Sequence, residues 1–339
     1  MNWPLPSFRW GLGRVNALRR MVLALLLGAV VVHPAPATNP IALPLRGQIS
    51  IHDPSTVVRC QDRYWIFGTG QGVSSKYSTD RVNWLAGPPV FARPPAWVTN
   101  AVPGFRGSFW APDLLFFNGQ YHLYYAVSTW GSKVSAIGLA TNPTLDPENP
   151  EFRWTDRGMV IRSVATNDFN TIDPAPLRDA AGNLWLSFGS YWSGIKLVQL
   201  NPAGSRRLSP DAPIYSLASH PSIEAPYLYR HGGYYYLFVN WGSCCQGTNS
   251  TYNIRVGRST RVTGPYFDRD QANLLDGGGS LFLGAMGRFI GPGHIGIFSE
   301  NGSDWFSYHF YDADHDGAPT LNLRRLDWSA DGWPVAGSP

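Results

Sequence analysis

The order of apolar and polar positions repeats one phrase five times. A proline-flanked polar residue heads a short apolar run, a tight turn follows, and an aromatic-rich strand comes next. The heads are Asp53-Pro54, Pro112-Asp113, Asp173-Pro174, Glu224-Ala225-Pro226 and Pro292-Gly293-His294. The aromatic runs are Tyr64–Phe67, Tyr121–Tyr125, Leu184–Phe188, Tyr234–Phe238 and Trp305–Tyr308. Successive heads lie 60, 60, 51 and 70 residues apart, the period of propeller blades.

Inside each repeat the pattern predicts individual strands. The first covers runs such as Ser55–Val58, Leu114–Phe117 and Tyr227–Tyr229. Turn pairs such as Asn118-Gly119, Gly232-Gly233 and Asn301-Gly302 tolerate positive φ and predict hairpins into the aromatic strand. Third strands follow at Ala136–Ala140 and Ile254–Arg258, and Arg153-Trp154-Thr155 is a candidate for an outermost strand. No stretch sustains a 3.6-residue apolar period, so almost no helix is expected. The fold class is therefore all-β, a five-bladed β-propeller of antiparallel blades around a central axis. If each blade begins with its innermost strand, the five polar heads converge on that axis.

Composition agrees. Aromatics make up 14%, glycines number 36 and charged residues are only 15%, a mix far from that of a helical bundle. Residues 1–37 read as a signal peptide: four arginines, the apolar run Met21–Val32, then a small-x-small site at Ala35-Pro36-Ala37. An uncleaved membrane anchor is the alternative, but the run is short for a bilayer. The formal charge of +4 belongs to this leader, since without it 23 basic residues face 23 acidic ones. Residues 38–339 then form a near-neutral propeller domain, expected to be secreted or periplasmic and monomeric. It has no basic field for nucleic acid and no membrane contact once the leader is removed. Of the cysteines, Cys60 is isolated, whereas Cys244 and Cys245 are adjacent. That pair is either a vicinal disulfide or two free thiols.

Three carboxylates stand apart. Asp53, Asp173 and Glu224 each lie within two residues after an isoleucine and within two before a proline, at the heads of the first, third and fourth repeats. A single Asp-Pro merely starts a turn; three converging on one axis form a cluster that cannot ionise fully. Burial and like charge keep at least one protonated beside ionised neighbours, the division that glycoside hydrolysis requires. Glu224, longer and flanked by Ile223 and Ala225, is assigned as the acid and Asp53 as the base. Asp173 would hold Glu224 protonated and oriented.

The segments His52-Asp53-Pro54, Phe109–Asp113, Asn170–Pro174 and Ile223–Pro226 resemble glycoside hydrolase family 43, most of all its endo-α-1,5-L-arabinanases. The resemblance runs from Gly47 to Pro334. It implies an inverting enzyme that cuts internal links of arabinan, with Asp53, Asp173 and Glu224 as base, modulator and acid. It also implies that Asp53, Trp110, Gly131, Asn170, Thr171, Ile172, Asp173, Ser190, Tyr191 and Trp192 contact sugar, with arabinan and arabino-oligosaccharides as partners. A calcium ion on the propeller axis, held through His294 and waters, is the implied cofactor. Asp113 is read as structural. The sequence Tyr311–Gly317 looks like a calcium loop, but without a distal Glu or flanking helices it is read as a plain loop.

Two other readings stay open. An exo-acting α-L-arabinofuranosidase or β-xylosidase of the same family would differ in loops around the groove. A non-catalytic sugar-binding propeller is expected to lack one of the three carboxylates, all of which are present.

Overall fold

The computed structural model describes residues 44–338, so the leader expected at residues 1–37 lies outside the described residues. Five sheets follow one another, each with its first strand at one edge. Blade 1 uses Val58–Cys60, Arg63–Gly68, Ser74–Ser78 and Asn83–Ala86. Blade 2 uses Ser108–Phe117, Gln120–Val127, Ser135–Asn142 and Thr155–Ser163. Blade 3 uses Ala175–Arg178, Leu184–Phe188, Ile195–Gln199 and Ile214–Ala218. Blade 4 uses Glu224–His231, Tyr234–Trp241, Asn253–Ser259 and Ser280–Leu283. Blade 5 uses Phe289–Glu300, Ser303–Asp312, Ala318–Trp328 and Pro334–Ala336. Among the described residues, helix is confined to Trp97–Ala101 and three 3-10 turns.

Each aromatic strand is a continuous apolar run because both of its faces are covered. Trp65 and Phe67 pack toward blade 2 with Phe109, Leu123 and Tyr125. Tyr64 and Ile66, on the opposite face, meet Leu321 and Leu323 of blade 5. Tyr235 and Leu237 likewise join a cluster with blade 3, while Tyr236 and Phe238 join one with Phe306 and Tyr308 of blade 5. The period-2 alternation thus builds one hydrophobic cluster per blade boundary rather than a single central core. The axis is left to polar groups.

The ring closes through the segment before blade 1. Ile51 donates its N–H to Pro319 O and Leu321 donates to Ile49 O, tying this segment to the third strand of blade 5. The inner strands also close tightly here. A Cβ on Gly296 would lie 2.6 Å from Thr56 N and 2.7 Å from Thr56 Cα, so only glycine lets blade 5 approach blade 1.

The heads depart from strict sequence equivalence. Asp53, Ala111, Asp173, Ala225 and His294 have φ of 49°, 43°, 58°, 51° and 61°, one left-handed residue at the head of every blade. This common bend makes Ala111, not Asp113, the counterpart of Asp53, and places Glu224 one residue before its blade's bend. Non-glycine residues sit there only where the surroundings over-determine them. Four of the five amides at these bends donate to side-chain atoms of the preceding blade: Asp53 to His309 Nδ1, Ala111 to Thr69 Oγ1, Ala225 to Asp173 Oδ2 and His294 to Asn240 Oδ1.

Two strand boundaries differ from expectation. In blade 1 regular pairing starts at Val58 rather than Ser55, because the chain is still leaving the bend at Asp53. In blade 2 the outermost strand starts at Thr155; the Arg153 amide is taken by Asn142 Oδ1 instead. The Tyr311–Gly317 segment ends the second strand of blade 5 and makes a 3-10 turn, as the loop reading expects.

Candidate active site

Asp53, Asp173 and Glu224 meet at the axial end formed by the heads, all three largely buried. Their surroundings set them apart. Asp53 Oδ1 lies 2.8 Å from His52 Nδ1, 3.6 Å from His294 Nδ1 and 3.9 Å from His309 Nδ1, and Oδ2 accepts the Thr69 hydroxyl at 2.5 Å. Burial alone would raise this carboxyl; the adjacent imidazoles outweigh it and hold the group far below the usual carboxylate range. Burial keeps His294 and His309 neutral, so near neutral pH the depression rests on His52. For His52 burial opposes the charge, but the charge of Asp53 and its hydrogen bond win and raise the imidazole above its ordinary value.

Glu224 is the converse. Burial lifts its carboxyl above the usual value, against hydrogen bonds from Tyr252 to Oε1 and from Ser190 Oγ to Oε2 at 2.9 Å; the charge of Asp53 adds to the lift. Asp173 is raised well above the ordinary range by burial, then by Glu224 and Asp53, while the Ala225 N–H at 3.0 Å pulls the other way. Asp173 and Glu224 interact strongly enough to titrate as a pair. One carboxylate held ionised therefore faces a buried pair whose ionisation is disfavoured, and among the described residues no Lys or Arg forms an ion pair with the three acids.

A cavity of about 500 Å³ opens beside Glu224. Of the residues expected to touch sugar, Trp110, Gly131, Asn170, Ile172, Ser190, Tyr191 and Trp192 line it. Tyr191 and Trp192 are consecutive non-glycine residues at φ of 51° and 41°, and both rings are exposed. That conformation is costly unless it serves to present the rings. Thr171 does not reach the cavity. It is fully buried, donates to Ser135 O at 2.8 Å and accepts the Ser163 amide, so it braces blade 2 against the head of blade 3. Ser190 takes on a further task, because its hydroxyl holds the acid. Asp113 is buried below this cluster, accepts the Thr56 amide at 2.8 Å and lies off the cavity lining, as its structural reading expects.

Sequence reasoning missed several groups. Trp130, 77% exposed and 6.1 Å from Trp110 in an edge-to-face pair, extends the aromatic lining. Its position beside Gly131 was the available signal. Thr69, Tyr252 and His309, which hold the acid and base, have no sequence signature; only the fold brings them in.

His52, Asp53 and His309 bring ligand atoms within 4.8 Å of one another, and they are the set among the described residues with metal-like spacing. His294, the expected ion ligand, stands beside this set at 3.6 Å from Asp53. The set is mostly imidazole, and its nitrogens already face the Asp53 carboxylate and amide, whereas a hard cation prefers oxygen. These residues suit at most a hydrated ion that draws most of its ligands from water.

Comparison with known proteins agrees with this chemistry. The family model described as glycosyl hydrolases family 43 matches residues 38–334. The extracellular exo-α-(1→5)-L-arabinofuranosidase of Cellvibrio japonicus is 41% identical over 300 residues, covering 85% of this chain and 86% of the relative. The extracellular endo-α-(1→5)-L-arabinanase 1 of Bacillus subtilis is 40% identical over 292 residues, covering 84% and 87%. The α-L-arabinanase of Cellvibrio cellulosa in complex with arabinohexaose superposes with a TM-score of 0.82 at 39% identity, over 86% of this chain and 96% of that one. With the propeller, the carboxylate cluster and a family match over nearly its whole length, the chain belongs to family 43 of the glycosyl hydrolases.

Proposed function

We propose that this protein is a secreted or periplasmic, monomeric hydrolase that cleaves internal α-1,5-L-arabinofuranosidic links of arabinan with inversion. The observation that carries the reading is the contrast between Asp53, pulled far below the usual carboxylate range by His52, and Glu224, raised by burial beside an aromatic cavity. Glu224 gives its proton to the glycosidic oxygen as the C–O bond breaks. Asp53 takes a proton from the water that attacks the anomeric carbon from the opposite face. Asp173, which accepts the amide next to Glu224, holds that segment in place, and its own carboxyl is raised well above the usual range by burial and then by Glu224. Trp110, Trp130, Tyr191 and Trp192 offer ring faces to furanose units. The extracellular naming of both relatives supports export, and among the described residues no helix is long and apolar enough to cross a membrane.

Incubation with linear arabinan and separation of the products tests the reading. Mixed oligosaccharides support endo cleavage; an intact polymer after prolonged incubation refutes it. The second reading, exo action, is favoured by the similarity to the Cellvibrio japonicus exo-enzyme, and arabinose as sole product would establish it. For the ion we propose one hydrated calcium held through the His294 ring. Calorimetric titration of metal-stripped protein with calcium should show a weak site that His294→Ala removes, and equal binding by that variant would refute the assignment.

A further inference from the structure

The loop between the second and third strands of blade 4 reaches both halves of the site. Cys244 and Cys245 are joined there by a disulfide between adjacent residues. Cys244 lines the cavity with Glu224, and Cys245 is exposed. The Cys245 backbone is left-handed, φ 66°, and its N–H donates to Tyr311 Oη at 2.7 Å. Tyr311 Oη lies 2.8 Å from His52 Nε2, and His52 Nδ1 lies 2.8 Å from Asp53 Oδ1. With the charge that Asp53 favours on this ring, Nδ1–H donates to the carboxylate and Nε2–H donates to the Tyr311 hydroxyl oxygen. A continuous set of hydrogen bonds then links the Cys245 amide, Tyr311, His52 and Asp53, with Tyr311 Oη accepting from both of its neighbours. The loop returns through paired hydrogen bonds between Ser243 and Thr251, and the next residue, Tyr252, donates to Glu224.

A bond between neighbouring residues closes almost no chain, so it constrains the unfolded protein little and adds little to global stability. Its effect is local. We propose that the Cys244–Cys245 disulfide is a positioning element for Asp53: it fixes the turn that keeps the Cys245 amide on Tyr311, and through Tyr311 and His52 it holds the carboxylate on its attack line. The proposal rests on Asp53 being the base. Reduction undoes it: an added dithiol gives two electrons and two protons to the S–S bond, leaves as its own cyclic disulfide, and two cysteine thiols remain. The freed turn can then relax from its left-handed conformation and release Tyr311.

The test compares the oxidised and dithiol-reduced full chain, with thiol counting to verify that two thiols per chain appear. On linear arabino-oligosaccharides, reduction should lower kcat about 10-fold, the worth of one lost hydrogen-bond link. KM should stay within about twofold, because the sugar-stacking rings are untouched. Reoxidation should restore kcat. Tyr311→Phe, which cuts the link, should turn over slowly in both states and respond no further to reduction. The His52 imidazole NMR signals should move on reduction in the wild type and stay put in Tyr311→Phe. Unchanged kcat and unchanged His52 signals in verified reduced protein overturn the proposal. So does a reductant response that persists in the Cys244→Ser/Cys245→Ser double variant, which has no disulfide to reduce. A chain that cleaves no arabinan in either state refutes the hydrolase reading, and the His52 signals still decide whether the disulfide positions the imidazole.

Discussion

Replacing Tyr252 by Phe removes one of two hydrogen bonds to the proposed acid while leaving the ring's packing in place. Tyr252 is fully buried, and burial followed by the charge of Glu224 raises its hydroxyl so far that it stays a neutral donor throughout the working range. A donor to a carboxylate favours the ionised form, so its loss must raise the Glu224 pKa above an already raised value. A hydrogen bond to a charged group is worth about 1.5–3 kcal/mol, or roughly 1–2 pH units at 1.36 kcal/mol per unit. Ser190 Oγ still holds Oε2, so the lower end is expected. Glu224 acts as an acid and must be protonated; activity is lost as pH rises through its pKa. The basic limb of the kcat/KM profile should therefore move up by about 1 unit, while the acidic limb, set by the depressed Asp53, stays where it is. Initial rates of reducing-end release from linear arabinan across pH 4–10 measure the basic limb; the acidic limb set by Asp53 lies below that window. A basic limb that stays or moves down in Tyr252→Phe refutes the assignment of Glu224 as the acid whose ionisation Tyr252 favours.

Glu224→Gln should lower kcat at least 10²-fold, the low end for a general acid, with arabino-oligosaccharide affinity by calorimetry retained. Asp113 is buried and its carboxyl is pushed up to about 7, so the folded state binds its proton more tightly than the unfolded state. Stability from this group is full below about pH 4 and is lost as pH rises toward 7, about 4 kcal/mol in all. Asp113→Asn should gain on the wild type across that window in urea unfolding series, and parallel curves would refute this. Gly296→Ala drives a methyl into the Thr56 backbone, and a loss of about 3 kcal/mol is expected by the same measurement. Trp130→Ala should raise KM about 3- to 10-fold with an unchanged melting temperature, because the ring is exposed and braces no blade.

The blade plan was legible because it is written twice, in the head-to-head spacing and in strands apolar on both faces. Asn118-Gly119, with φ of 48° and 74°, makes the tight turn its residues demand. The three carboxylates were legible for a related reason: an acid before proline in an apolar setting is unusual, and the repeat stacked the cases. What could not be read was which atoms hold those acids. Tyr252 lies 28 residues from Glu224 and His309 lies 256 residues from Asp53, so no local pattern encodes either contact. Thr171 was misplaced because sequence neighbours of Asp173 alternate sides around the bend, and its hydroxyl points into the blade boundary. Asp113 matched the proline spacing but not the backbone bend, which falls at Ala111.

The bend also explains how a repeated scaffold yields unequal carboxylates. In blades 1 and 4 the residue two beyond a buried phenylalanine of the aromatic strand caps the next blade's bend amide: Thr69 after Phe67, and Asn240 after Phe238. In blade 3 the same position, two beyond Phe188, is Ser190, and it does not take that role. Its hydroxyl goes to Glu224, and the Ala225 amide is accepted instead by Asp173 from the blade's own head. One substitution in the pattern thus has two consequences. A donor is freed for the acid, and an ionisable group replaces a neutral cap directly beside that acid. Because Asp173 is then buried against Glu224, each disfavours ionisation of the other, and the proton stays on this side of the site. Across the axis, blade 5 supplies the His309 ring to the Asp53 amide, while His52 faces the Asp53 carboxylate and holds it ionised. The difference between acid and base therefore follows from which side chain each blade uses to cap its neighbour. Asp173→Asn keeps the carbonyl that accepts the Ala225 amide but removes the titrating group. It should preserve the fold, and because the neutral amide mimics a protonated Asp173, the basic limb of the rate profile should stay near its wild-type position, in contrast to its upward shift in Tyr252→Phe; a limb that moves down would refute a protonated Asp173.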